Sequence, residues 1–477
     1  MADDLKKKTV KGVAWSGIER FTAQGMNFVF NILIARVLLP EDYGVVAMLG
    51  IFIAVSNTFI DSGFANALIR KIDRTEDDFN TVFYFNIAMS AFFCALLWIF
   101  APAIANFYNI PMLVKITRII SLTLVISAFS AIQSTKLTID INFKAKAIVT
   151  IISVFIIGCV GLVMARKGYG VWALVAQSVV GPVVRTVLLW VFVRWVPKLR
   201  FSWKSFKEMF GYGSKLLASA LIDTIYNNVY TLVIGKFFSP SSLGVYNKAE
   251  SFAAFPSSSL SSMLGSVTFP VLSQMQNDQE RLQATYKRFL NVSAFVVFPM
   301  MVGLAAVADP FVRIVLTDNW AGMIYLLQIL CFSLMWYPIH AINLNILQVK
   351  GRSDLFLKLE ILKKCQGIVI LIVTIPMGLV AMCYGRIVSC MISLWLNTMY
   401  SKDLIDYGYW AQMKNYLRIL ALSVVMGAAV FAIVKLLPNL WAQLLAGTAA
   451  GVLIYAAGAK ILRFPEFDDL LGLIKRK

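Results

Sequence analysis

Long apolar runs separated by short polar connections dominate this chain. Residues 79–114 contain no Asp, Glu, Lys or Arg, and neither do 147–165, 289–308, 319–349, 365–385 and 436–459. A helix needs roughly 20 apolar residues to cross the hydrocarbon core of a bilayer. Several runs therefore cross once, and the longest overlap into a second crossing. Lipid offers no partners for backbone N–H and C=O groups, so spans of this kind are helices. The pattern predicts an all-α integral membrane protein with about fourteen transmembrane helices: 10–36, 43–66, 81–105, 112–134, 146–166, 169–193, 209–237, 243–270, 288–308, 319–346, 355–378, 381–401, 413–436 and 439–460. None of the predicted connections is long enough to hold a folded soluble domain.

Composition agrees with this pattern. Of 477 residues, 59% are hydrophobic and only 14% charged, against about 25% charged in soluble domains. The net charge of +19 is mostly a topology signal. With the N-terminus inside, 29 Lys and Arg fall in inside segments and 6 in outside connections or at their edges. This positive-inside bias predicts two cytoplasmic termini and makes nucleic-acid binding a poor explanation for the charge. Lys6, Lys7 and Lys8 precede the first span without a small-residue cleavage site, so that segment is expected to be a cytoplasmic flank. The six cysteines all lie in apolar segments without a CxxC pair, and His340 is the only histidine. Neither supplies a metal site or a nucleophilic triad. No GxxxxGK[ST] phosphate loop is present. The expectation is a protein without cofactor that is not an enzyme.

The chain repeats itself after 200 residues. Asn27-Phe-Val-Phe-Asn-Ile-Leu-Ile-Ala-Arg36 returns as Asn227-Asn-Val-Tyr-Thr-Leu-Val-Ile-Gly-Lys236, and Pro40, Gly44 and Val45 return as Pro240, Gly244 and Val245. The two copies start six spans apart and so share one orientation. A parallel repeat of this kind predicts two pseudo-symmetric six-helix lobes, with two extra C-terminal helices. The expected domains are 1–195 (N-lobe, spans one to six), 196–208 (cytoplasmic linker), 209–405 (C-lobe, spans seven to twelve) and 406–477 (two further spans and a cytoplasmic tail).

Charges inside the spans are the candidate functional groups, because each costs roughly 2.5–3.5 kcal/mol at a helix centre and seldom faces lipid. In span one, Ser16, Arg20, Gln24, Asn27 and Asn31 fall on one helical face. In span seven, Lys215, Ser219, Asp223, Asn227 and Thr231 do the same. Two equivalent polar stripes predict a central polar cavity. The candidate substrate-binding groups are Arg20, Gln24, Asn27, Asn31, Arg185, Lys215, Asn227, Lys248, Lys363 and Lys364. The candidate coupling groups are Glu19, Asp61, Asp223 and Glu250. For Glu19 and Asp223, a structural pairing with a nearby base is an equal alternative. Lys115, Arg118 and Lys363 could instead snorkel to a membrane surface.

Several stretches carry a resemblance. Arg36-Val-Leu-Leu-Pro-Glu-Asp-Tyr-Gly-Val-Val-Ala-Met48 and Asp61-Ser-Gly-Phe-Ala-Asn-Ala-Leu-Ile-Arg-Lys71 are two. Gly168-Tyr-Gly-Val-Trp-Ala-Leu-Val-Ala-Gln177, Phe269-Pro-Val-Leu-Ser-Gln-Met-Gln276 and Lys350-Gly-Arg-Ser-Asp354 are the others. Over roughly residues 8–405 the chain resembles the polysaccharide-transporter branch of the multidrug/oligosaccharidyl-lipid/polysaccharide exporter superfamily. The resemblance implies a flippase in a bacterial inner membrane, moving an undecaprenyl-pyrophosphate-linked O-antigen, capsule or exopolysaccharide unit outward by alternating access. It also implies membrane lipids and other polysaccharide assembly proteins as partners. With no nucleotide site, the energy must come from gradients, with either proton or sodium as coupling ion. A drug or cation antiporter of the same superfamily would want an acidic cavity, whereas the intramembrane bases here outnumber the acids. A membrane polysaccharide polymerase or ligase would want a sizeable outer loop, and a purely structural scaffold would not duplicate a polar stripe.

Overall fold

In the computed structural model, residues 2–61 and 63–475 are described. Side chains are described throughout these except at 2–11, 13, 14, 212, 215, 266, 471 and 473–475. Every regular element among the described residues is helical. The chain divides into two compact units, Met1–Gly244 and Val245–Lys477.

The first unit holds α1 (Ala2–Ala35), α2 (Pro40–Ala47), α3 (Gly50–Asp61), α4 (Phe64–Arg70), α5 (Glu76–Tyr108), α6 (Leu113–Ile139), α7 (Phe143–Arg166), α8 (Val171–Phe192) and α9 (Trp203–Phe237), and ends in the first turn of α10 (Pro240–Gln274). The second continues with α11 (Gln279–Ala306), α12 (Ala308–Val315), α13 (Met323–Leu334), α14 (Tyr337–Val349), α15 (Ser353–Thr374), α16 (Leu379–Thr398), α17 (Ser401–Ile405), α18 (Tyr409–Leu436), α19 (Leu440–Ile461) and α20 (Pro465–Lys475).

All fourteen predicted spans fall on helices. Eleven of these are long and apolar enough to cross a membrane. The other three are α1, α10 and α15, which are 34, 35 and 22 residues long and interrupted by charged or hydroxyl side chains. The protein is thus a multi-pass membrane protein. The predicted span 43–66 is broken into α2, α3 and α4, with Gly63 in the left-handed region (φ 71°) ahead of α4. The predicted span 319–346 is split into α13 and α14, where Pro338 occupies the first turn of the second helix.

Helix ends follow their local sequence. Thr75 and Asp78 form a reciprocal cap at the start of α5: the Asp78 carboxylate accepts from Thr75 N–H at 2.8 Å, and the Thr75 hydroxyl accepts from Asp78 N–H at 3.4 Å. Pro40 and Pro240 each open a helix, where the missing N–H is harmless. Gly351 ends α14 with φ 70°. The next residue, Arg352, grips both carboxylate oxygens of Asp354 at 2.9 and 2.8 Å. That guanidinium holds the Asp354 carboxyl down to about 2.

Small residues let helices approach closely, as in other membrane bundles. A Cβ on Gly158 of α7 would stand 2.2 Å from the Phe30 ring of α1, and one on Gly161 would stand 2.4 Å from the Gln177 amide of α8. The closest approach joins the starts of α2 and α10. A Cβ on Gly44 would lie 1.8 Å from the carbonyl oxygen of Pro240, and one on Gly244 would lie 1.8 Å from that of Pro40. Four of the residues that mark the internal repeat, Pro40, Gly44, Pro240 and Gly244, therefore cross reciprocally, backbone on backbone.

In the second unit, α18 is fastened by a buried polar cluster. Gln412 donates to the Asn343 side-chain oxygen at 3.1 Å and to the Tyr407 carbonyl at 3.3 Å, and Tyr416 donates to the Gln412 oxygen at 3.1 Å. Tyr286 bonds the same Asn343 oxygen. Leaving a buried polar group without its partner costs about 1–3 kcal/mol. Gln412→Leu strands the Tyr416 hydroxyl and weakens the Asn343 contact. It should lower the melting temperature in detergent by several degrees, and an unchanged melting curve would refute this account of the cluster.

Candidate functional site

The stripe predicted on the first helix lines a cavity. Ser16, Glu19, Arg20, Ala23, Gln24 and Asn27 of α1 face Phe143, Lys146 and Thr150 of α7 across a space of about 480 Å³. Glu19 is anchored to the wall by the Thr150 hydroxyl, which donates to it at 2.7 Å. Arg20 is exposed, whereas Glu19, Gln24, Lys146 and Thr150 are half-buried. Two bases and one hydrogen-bonded acid leave the lining with a positive excess. Asn31 donates to the backbone oxygen of Asn27 at 2.9 Å and lies outside the lining.

Lys146 and Thr150 were not singled out from the sequence. Lys146 occupies the first position of the fifth predicted span, where a base also fits a membrane-surface flank. The signal available was its 4-residue spacing from Thr150, which places both on one face of α7.

The remaining candidates lie elsewhere. Asp61 is exposed at the end of α3, and Arg185 is exposed on α8. On α9, Asp223 and Asn227 are exposed, and the intervening Thr224 meets Thr58 of α3 at 2.9 Å between hydroxyl oxygens. The Lys215 side chain lies outside the described residues. In the second unit, Lys248 of α10 is buried, with its Nζ 5.5 Å from the Trp320 ring centroid. Glu250 is paired with Arg386 of α16 at 2.5 Å, and Arg386 also donates to the Tyr246 hydroxyl at 2.6 Å. Lys363 of α15 is paired with Glu360 one turn earlier, and Lys364 beside it is half-buried. Arg118, one of the groups that could snorkel, is exposed and lies 5.7 Å from the Trp98 ring centroid.

A second cavity, of about 560 Å³, is apolar and lies in the second unit. Its walls come from α11, α18 and α19, among them Pro299, Met426, Gly447 and Tyr455. Phe467 and Leu470 of α20 complete it. Arg288 of α11 holds α20 through Asp469, with bonds of 2.9 and 2.7 Å.

An all-helical multi-pass bundle with a positively lined polar cavity has the architecture of membrane exporters. The fold matches a lipid II flippase, MurJ, in an inward closed conformation, with a TM-score of 0.78 over 96% of this chain and 100% of that one at 16% identity. It also matches an inward-facing multidrug-resistance transporter of the MOP superfamily, with a TM-score of 0.59 over 83% of this chain and 95% of that one at 16% identity. The polysaccharide biosynthesis protein family matches residues 33–325, and the chain belongs to that family. Among its relatives, the lipopolysaccharide biosynthesis protein WzxC of Escherichia coli K12 is 25% identical over 75% of this chain and 73% of its own length. The succinoglycan biosynthesis transport protein ExoT of Rhizobium meliloti is 27% identical over 70% of this chain and 68% of its own. The teichuronic acid biosynthesis protein TuaB of Bacillus subtilis is 24% identical over 74% and 73%.

Proposed function

We propose that this protein is a flippase that carries a lipid-linked oligosaccharide from the cytoplasmic to the outer leaflet of a bacterial inner membrane, not an enzyme acting on it. The observation that carries the reading is the α1–α7 cavity. Arg20 and Lys146 give it fixed positive charge, and Gln24, Asn27 and Ser16 give it neutral hydrogen-bonding groups. A diphosphate needs the first and sugar hydroxyls need the second. The apolar cavity of the second unit suits a prenyl chain, since it offers hydrocarbon walls and almost no polar atoms. The family and the names of the relatives support a sugar cargo. The superfamily rival, a cation antiporter, would place acids in excess where this cavity places bases. Exporting each negative charge from a negative interior gains roughly 2.3 kcal/mol per 100 mV.

The test is complementation of a flippase-deficient strain that carries the matching sugar pathway. Restored surface polysaccharide is the expected result. Continued accumulation of the lipid-linked unit on the inner leaflet, with the protein present in the membrane, would remove the proposal.

The same reading takes fourteen spans with both termini cytoplasmic, supported by the Lys and Arg bias. In a version lacking the native cysteines, single cysteines near Lys204 and Arg352 should resist an impermeant thiol reagent in intact cells, and those near Ser241 and Asn439 should react. Labelling at Lys204 from outside would reverse the orientation.

A further inference from the structure

The apolar cavity of the second unit has a base at one end. On α11 its lining starts at Phe295 and runs to Leu304. Arg288 stands on the same helix, about two turns before Phe295. At this end α20 completes the site. Phe467 and Leu470 line the cavity. Asp469, between them in sequence, takes both prongs of Arg288, from Nε at 2.9 Å and from Nη2 at 2.7 Å. One short segment thus places an anion on the base and two apolar side chains against the hydrocarbon walls. A prenyl diphosphate has the same two parts joined together, an anionic head and an apolar chain.

We propose that Arg288 and the apolar cavity form one binding site for a prenyl diphosphate, and that α20 occupies it as a stand-in until the ligand displaces it. A guanidinium presents a planar fork of N–H donors that fits phosphate as well as carboxylate. The head of the ligand takes Arg288 from Asp469. Its chain takes the places of Phe467 and Leu470. Both halves of the hold on α20 are lost to one molecule, so binding and release of the helix are coupled.

The hold is weak enough to exchange. The Arg288 side chain is 67% exposed and that of Asp469 33%, and ion pairs so open to water contribute little. Glu466 in the first turn of α20 is buried, and its Oε2 has no hydrogen-bond partner among the described residues. Swinging α20 outward returns that oxygen to water. The connection allows the swing. Between Ile461, which ends α19, and Pro465, which opens α20, Arg463 has φ 52°, a left-handed conformation that a residue with a Cβ adopts only under constraint. Phe464 beside it is buried 5.8 Å from the Phe295 ring centroid and fixes the pivot. Further bases surround this root. Arg418 lies 5.2 Å from the Phe464 ring centroid, and Lys460 and Arg463 are exposed.

The inference rests on the flippase reading for the choice of a prenyl diphosphate. The test is binding of geranylgeranyl diphosphate to the full-length protein in detergent, followed by isothermal titration. Asp469→Asn removes the competing anion and should tighten binding about three- to fivefold. Arg288→Gln removes the receiving base and should weaken it at least about tenfold. An ion pair that only fastens α20 would not give opposite signs, so variants that shift affinity in the same direction, or not at all, overturn the proposal. Inorganic diphosphate lacks the chain and phosphatidylglycerol lacks the diphosphate; both should bind more weakly, and equal affinity for either overturns it. In a version lacking the native cysteines, spin labels at Ala284→Cys of α11 and Asp468→Cys of α20 should move apart when geranylgeranyl diphosphate is added. An unchanged distance at saturation also overturns it. Binding with the expected signs in a protein that fails to complement the flippase-deficient strain would leave the site standing and defeat the flippase reading. Complementation without the binding differences would defeat the site alone.

Discussion

Alanine at Gly44 or Gly244 should abolish transport. The added Cβ at Gly44 would stand 1.8 Å from the Pro240 carbonyl oxygen and 2.5 Å from its carbon. Ordinary carbon–oxygen contacts lie near 3.3–3.6 Å. The opposing atoms are backbone, so no rotamer change relieves the overlap and the starts of α2 and α10 must separate. Gly244 faces the same limit, 1.8 Å from the Pro40 oxygen and 3.2 Å from the Gly44 nitrogen. Overpacking commonly costs about 1–3 kcal/mol, and a crossing rigid on both sides belongs at the upper end of that range or beyond it. Gly50 and Gly265 serve as controls, since a Cβ there meets nothing within 4 Å. Alanine at those helical positions should be neutral or gain up to about 1 kcal/mol from propensity. The measurement is thermal unfolding together with complementation for all four variants. Gly44→Ala and Gly244→Ala proteins that melt and complement like wild type would show that the crossing is not required.

Loss of Arg20 should be equally complete in function and nearly silent in stability. Its side chain is exposed in the α1–α7 cavity, and substitutions at such positions usually change stability by no more than about 0.5 kcal/mol. A diphosphate held there loses a planar, charged, two-pronged donor that Lys reproduces only as a point charge. Removing one partner of a close charge pair costs about 2–5 kcal/mol in binding, which is roughly thirty-fold or more. Arg20→Ala is therefore expected to accumulate in the membrane near wild-type levels and to give no surface polysaccharide. Arg20→Lys should be partly active. Lys146→Ala should be impaired, and the double alanine variant should be inactive. Full complementation by Arg20→Ala would take the cavity out of the substrate path. Disappearance of the protein would instead assign Arg20 a structural role beside Glu19.

Much of this architecture follows from one-dimensional physics. Charge-free runs of twenty or more residues have no stable alternative in lipid to helix, so the helical spans and the multi-pass class were legible without coordinates. The same holds for the stripe of Arg20, Gln24 and Asn27, because a period near 3.6 places them on one face of a continuous α1 whatever packs against it. The duplication was legible from Pro40/Pro240 and Gly44/Gly244, but its purpose was not. Only folding shows that each glycine meets the proline of the other copy, 200 residues away. The same limit hid Lys146 and Thr150. Their side chains complete the cavity only because α7 lies against α1, which small residues such as Gly158 make possible. His340 looked like an isolated histidine in an apolar run; its partners Cys390 and Asn397 arrive on α16, and no local periodicity announces them. Periodicity assigns a residue to a helix face. What that face meets depends on close packing between helices distant in the chain, and there the fit of single atoms, as at Gly44, decides.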